Sequence, residues 1–157
     1  MSTYEQALRA LRRRFGRDRQ FALATCRDNV PSLRTVDTYY EDGGLWIVTY
    51  ASSRKVQDIL ENPNVALCHA FDCLTGRAEV MGHPREPRNA AIRQTLIRVF
   101  EPWYFAHNNE DDAAMCLVRV ALSAGFILGE GVAYRVDFEA KSAEEIPFTP
   151  DPAMADY

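Results

Sequence analysis

The sequence predicts a mainly β fold with a few helices, arranged as a closed or partly closed antiparallel barrel of six or seven short strands. Three observations carry this. Alternating or β-branched runs recur along the chain, tight turns such as Asp42-Gly43-Gly44 join them, and the regular alternation of strand and helix that makes a parallel sheet is missing. Closure follows because a barrel leaves few exposed strand edges. The 157 residues, 47% hydrophobic and 25% charged, suit one ordinary domain with a proper core.

Ser2 followed by Glu5 forms a capping-box pattern and Gly16 a helix stop, so the opening helix spans about residues 3–15. Phe21, Leu23 and Thr25 alternate with Ala22 and Ala24 in a first strand. After the turn Asp28-Asn29, the run Leu33 to Tyr40 makes a second strand, and beyond Asp42-Gly43-Gly44, Leu45 to Tyr50 pairs with it as a third. A short amphipathic helix begins after Ser52-Ser53, with Val56, Ile59 and Leu60 on its apolar face, and stops at Asn62-Pro63. Val65 to Phe71 and Thr75 to Met81 are two further strands. A helical region then runs to about His107 on Ile92, Leu96, Val99, Phe100, Trp103 and Tyr104, kinked or divided at Pro102. Cys116 to Leu122 and Gly125 to Phe138 supply the last strands, with a bend at Gly129 and Gly131. Residues 1–138 thus form the domain, and residues 139–157, rich in proline and acid, form a tail expected to lack regular structure.

Charge and cysteine usage narrow the function classes. The tail holds Glu139, Glu144, Glu145, Asp151 and Asp156 against Lys141, which accounts for the whole net charge of −4. Six arginines fall in the first twenty residues, but the helical spacing of Tyr4, Ala7, Leu8, Leu11 and Phe15 puts them on a solvated face, so no nucleic-acid partner is expected. No apolar stretch is long enough for a membrane helix, and the arginines interrupt any signal segment, which points to the cytoplasm. Cys26, Cys68, Cys73 and Cys116 show no CxxC pair and are expected as buried small hydrophobes, with no metal site.

The stretch Val48-Thr49-Tyr50-Ala51-Ser52-Ser53-Arg54-Lys55 runs from a strand end into a helix start. Ser53 at the N-cap, free N–H groups behind it, and Arg54 with Lys55, one of only two lysines, make either a capped, solvated terminus or a cradle for a phosphate dianion. Arg34 lies about as far before the hairpin turn as this stretch lies after it, so it can close the cradle from the neighbouring strand.

Arg34-Thr35-Val36, Val48-Thr49, Ser53-Arg54-Lys55 and Asn62-Pro63, in this order and spacing, resemble the pyridoxamine 5'-phosphate oxidase-like family of FMN-binding split β-barrels, particularly its short, general stress protein-like members. The likeness spans roughly residues 3–138. It implies that Arg34, Arg54 and Lys55 hold the FMN phosphate, that Ser53 adds a hydroxyl contact, and that Thr35, Val36, Val48 and Thr49 lie beside the flavin ring. It also implies a homodimer, with the flavin in a cleft between two barrels, and an FMN-dependent oxidoreductase acting on a small substrate, possible electron donors being NADH and NADPH. No side chain is singled out as catalytic. The alternative is a non-catalytic module, or one loaded with haem or a deazaflavin. The chain has Asp37, Thr38 and Tyr39 where the true oxidases carry a lysine, and it lacks their terminal arginine and histidine, so pyridoxamine phosphate is not the expected substrate. His69 and His83 read as structural, though haem-binding relatives leave an axial histidine open. The cluster His107 to Asp112 reads as a capped loop or an acid/base site, and Trp103-Tyr104 as core or flavin-facing.

Overall fold

The structure, a computed structural model, describes residues 1–148. The elements are α1 (Thr3–Phe15), β1 (Arg19–Arg27), β2 (Val30–Glu41), β3 (Gly44–Tyr50), α2 (Arg54–Glu61), β4 (Asn64–His69), β5 (Asp72–Gly82), α3 (Ala90–Val99), α4 (Tyr104–His107), β6 (Met115–Leu128), β7 (Val132–Asp137) and β8 (Ser142–Pro147). All strand pairs are antiparallel, in the order β3-β2-β1-β4-β5-β6-β7-β8, and β3 pairs again with β6. That last pairing closes β1 to β6 into a six-stranded barrel and leaves β7 and β8 as a ribbon on its flank. The barrel has six strands, within the six or seven expected, and the ribbon brings the total among the described residues to eight.

Local chemistry explains the turns. Asp28 and Asn29 have φ of 52° and 60°, and Asp42 and Gly43 have 47° and 78°, the paired left-handed conformations that a two-residue hairpin requires and that Asp, Asn and Gly tolerate best. Gly76 answers a different need, since a Cβ there would lie 2.5 Å from the Ala121 carbonyl oxygen. It sits at the register shift between β5 and β6, where two backbones approach closely.

Burial follows from which faces are covered. The barrel interior collects Phe21, Leu23, Val36, Leu45, Ile47, Leu67, Leu74, Val118 and Val120. Trp46 and Leu117, on the opposite faces of β3 and β6, pack with Ile92, Leu96, Phe100 and Tyr104 into a second core beneath α3 and α4. Strands covered on both sides read as continuous apolar runs, and Leu45–Val48 and Met115–Val118 do. The chain divides after Phe100, as Pro102 predicts, and α4 restarts at Tyr104. The helix α1 covers the barrel end at Phe21, with Phe15 and Phe21 ring centroids 4.9 Å apart, while α2 covers the opposite end, where Asp58 meets Thr25.

Four expectations need correction. The run from Met115 is one strand to Leu128, not two, because the bulge opposite Thr75-Gly76 absorbs the irregularity around Ser123. The start of the supposed irregular tail is β8, which pairs with β7 from Asp137↔Ser142 to Val132↔Pro147; Pro150, Asp151, Pro152 and Asp156 lie outside the described residues. On α2 the buried face is Val56, Asp58 and Ile59, and Leu60 is exposed. Of the cysteines only Cys116 is buried, and Cys68 and Cys73 are exposed. No helix among the described residues is long and apolar enough to cross a membrane.

Candidate functional site: a cationic mouth beside a split between strands

The hairpin β2–β3 opens almost as soon as it forms. Its ladder holds only Tyr39↔Trp46, Tyr40↔Leu45 and Glu41↔Gly44. Beyond these, β2 stays with β1 and β3 with β6. The edges carrying Thr35 and Val36 on one side, and Val48 and Thr49 on the other, therefore diverge without a mutual ladder. Such edges present backbone N–H and C=O groups with hydrogen-bonding capacity.

The cationic side chains gather at the mouth of this split. Arg34 faces inward because it is opposite Leu23 in the β1–β2 register. Its guanidinium donates to Thr25 Oγ1 at 2.8 Å and to the Leu23 carbonyl at 3.2 Å, and it stands 3.7 Å from Asp58. Lys55 reaches back from the first turn of α2 and donates to Thr49 Oγ1 at 3.1 Å. Ser53 occupies the N-cap with extended backbone, yet its hydroxyl does not cap the helix; it lies 3.4 Å from Thr49 Oγ1 instead. A hydroxyl and the first N–H groups of α2 thus face the same place as the lysine. Arg54 is exposed and lies 3.8 Å from Asp58.

Asp58, which the sequence reading passed over, organises this cluster. It is completely buried and accepts a 2.8 Å hydrogen bond from Thr25. Arg27 stands 3.3 Å from its Oδ1, but without the alignment of a hydrogen bond, so that oxygen stays unpartnered. The available signal was its place four residues after Arg54 on the face of Val56 and Ile59. Three arginines, Arg27, Arg34 and Arg54, meet Asp58, Arg27 also meets the more distant Glu61, and Lys55 stands beside Arg34 with its hydrogen bond to Thr49, so the mouth keeps excess positive charge. Burial, then the Arg34 charge, pushes the Lys55 ammonium below its usual range. Burial, and then Arg54, likewise lowers Arg34, against the pull of Asp58. A dianion placed here relieves both penalties.

On the outer side of the same β2 edge, a cavity of about 500 Å³ is lined by Asp18, Gln20, Asp37, Trp103, His107 and Asn108. Burial, followed by the Asp18 carboxylate, raises Asp37 above the usual carboxyl range, and Trp103 Nε1 donates to Asp18 at 2.7 Å. Trp103 also stacks on Phe100 at 4.5 Å, and Tyr104 is fully buried, so this pair serves the second core. In the His107–Asp112 cluster, Glu110 is buried and accepts from Arg93 at 2.6 and 2.7 Å and from the Tyr104 hydroxyl at 3.1 Å. Asn109 and Asp112 accept from backbone N–H groups two residues on. That cluster ties a loop to α3. Nδ1 of His69 engages the Gln20 carbonyl at 2.8 Å and Nδ1 of His83 accepts from the Arg85 N–H at 3.0 Å.

The sequence profile of the pyridoxamine 5'-phosphate oxidase family matches residues 6–128. The chain belongs to that family. Its match takes in the mouth, the split and the whole six-stranded barrel, with the first residues of α1 and the flanking ribbon outside. No curated protein sequence matches the chain. Solved structures share the family fold at low identity. The pyridoxamine 5'-phosphate oxidase-related, FMN-binding protein from Nostoc punctiforme superposes with a TM-score of 0.56 at 16% identity, over 96% of this chain and 98% of its own. General Stress Protein 26 from Bacillus anthracis gives 0.55 at 19%, over 94% and 100%. A haem-binding protein from Mycobacterium smegmatis gives 0.65 at 14%, over 90% of this chain and 60% of its own.

Proposed function

We propose that the chain binds FMN, with the phosphate in the cationic mouth and the ring along the split, and works as a flavin-dependent oxidoreductase on a small substrate. The observation that carries this reading is the mouth itself. Lys55, Arg34, the Ser53 hydroxyl and the start of α2 converge beside two unladdered strand edges. A ligand that joins a dianion to a flat, edge-polar ring matches both halves. Arg34, Arg54, Lys55 and Ser53 would hold the phosphate, and Thr35, Val36, Val48 and Thr49 would lie along the ring. When bound, the flavin supplies the electron transfer; the chain binds and orients it. A single barrel supplies the two edges but little to cover the exposed ring, which supports a homodimer.

The absorbance of the purified protein, titrated with FMN, tests the binding. Flavin bands and saturable uptake are expected, and a colourless protein that ignores FMN would overturn the reading. Anaerobic NADH or NADPH is expected to bleach the bound flavin slowly, with negligible turnover of pyridoxamine phosphate. A flavin that no nicotinamide reduces removes the nicotinamide-dependent oxidoreductase and leaves a binding module. Light scattering of the FMN-saturated protein is expected to give a dimer.

A further inference from the structure

A concavity of about 640 Å³ lies away from the mouth. It is a groove on the outer face of the sheet, with Ala22, Ala24, Leu33, Ala66 and Phe126 among its walls and Cys68 and Cys73 in its floor. The two cysteines flank the β4–β5 hairpin and stand directly opposite each other in its register. Their sulfurs are 3.9 Å apart, and both residues are exposed. Opposed residues of an antiparallel pair have Cα atoms about 4.5–5.5 Å apart, inside the range of about 4.4–6.8 Å that a disulfide spans. Rotation of two exposed side chains is enough to bring the sulfurs to bonding distance, with no backbone movement.

We propose that Cys68 and Cys73 are a reversible dithiol–disulfide site, oxidised by low-molecular-weight disulfides of the glutathione type. This goes beyond the flavin reading and does not depend on it, because the pair lies on the outer face of the barrel wall whereas Arg34 and Thr49 face inward. The neighbouring groups assign the order of events. Cys68 donates its S–H to the Ala70 carbonyl at 3.1 Å. Burial, the Cys73 thiol and the Asp72 carboxylate all push the Cys68 thiol up, and its S–H is held by that carbonyl, so we assign Cys68 as the resolving thiol. Cys73, as thiolate, attacks the external disulfide. Its S–S bond breaks, one thiolate leaves and takes up the Cys73 proton, and Cys73 carries a mixed disulfide. Cys68 then attacks the Cys73 sulfur, and the second external thiol departs with the Cys68 proton. Two protein thiols lose two electrons and one external disulfide becomes two thiols, so the exchange balances.

The full-length protein, incubated with oxidised glutathione and quenched with acid, reads the outcome by intact mass and peptide mapping. The expected product has lost two hydrogens, carries no adduct, and yields a peptide cross-linked between Cys68 and Cys73. Reduced glutathione in excess reverses it. Cys68→Ser is expected to accumulate a stable glutathione adduct on Cys73, since the resolving thiol is gone. Cys73→Ser should react several-fold more slowly and gain no internal bond. Both substitutions are near-isosteric at exposed strand positions, and circular dichroism confirms their folding. Wild-type protein that keeps both thiols free, accumulates an unresolved adduct, or cross-links only between chains would overturn the proposal.

Discussion

The two ends of the barrel each bury an aspartate beneath a helix, and they treat it in opposite ways. At the α1 end, Asp72 accepts from both terminal guanidinium nitrogens of Arg14, one at 2.6 Å, and from the Leu128 N–H at 2.8 Å. At the α2 end, Asp58 has one hydrogen bond, from Thr25, while its arginines stand off at 3.3, 3.7 and 3.8 Å. Both carboxylates are fully buried. The first is locked: its hydrogen bonds are spent on α1 and the β6 end. The second shares its charge among several cations without satisfying any of them, so those cations keep bonding capacity for something else. A buried charge network left partly unsatisfied is costly in a purely structural role, which is why the looser end is the candidate site.

This contrast can be broken experimentally. The largest effect should come at the locked end, where Arg14→Ala leaves Asp72 buried without its counter-charge. A loss of about 3 kcal/mol is expected, read by urea unfolding, with FMN affinity of the folded fraction unchanged. Next, Lys55→Ala and Arg34→Ala should each weaken FMN about tenfold or more, as a charged hydrogen bond is worth about 1.5–3 kcal/mol. Riboflavin, which lacks the phosphate, should lose much less, and equal losses would contradict the assignment. Because Lys55 is held below its usual range, FMN affinity should fall as pH rises through that lowered range, and Lys55→Arg should carry binding to higher pH.

A smaller effect sharpens the role of Asp58. Asp58→Asn removes the carboxylate that the mouth's cations share, so added inorganic phosphate should raise the melting temperature more in this variant than in the wild type. Equal gains would mean that Asp58 does not balance the site. The smallest effect concerns Glu110, a third buried carboxylate and a satisfied one. Hydrogen bonding from Arg93 chiefly lowers its pKa. Its contribution is therefore complete above the ordinary glutamate pKa and is lost as pH falls through the lower folded-state value. Glu110→Gln should flatten that part of the acid-unfolding curve.

Much of this was legible because it is local. The capping box Ser2/Glu5, the turn residues with positive φ and the helix start at Ser53-Arg54-Lys55 act within a few residues. The convergence of Arg34 with Lys55 was legible too, since both are counted from one hairpin turn. What escaped depends on distant partners. Asp58 looks like a solvated helix residue until β1 brings Thr25 and Arg27 over it. The strand β8 hides behind Glu144-Glu145, both exposed on the ribbon, and only β7 supplies its ladder. The paired cysteines are five residues apart, outside CxxC spacing, and only the hairpin register sets them side by side.

Closure between β3 and β6 also fixes when the mouth can work. All its ligating side chains lie between Thr25 and Asp58, but β3 is held only by residues 115–121 once it leaves β2. During synthesis the basic groups emerge early, while the half of β3 that positions Thr49 against Lys55 has no partner until β6 appears. Contacts so distant in sequence form late. Anion capture is therefore an event of the finished polypeptide, and a nascent chain carries the mouth's charge before it has the mouth's shape.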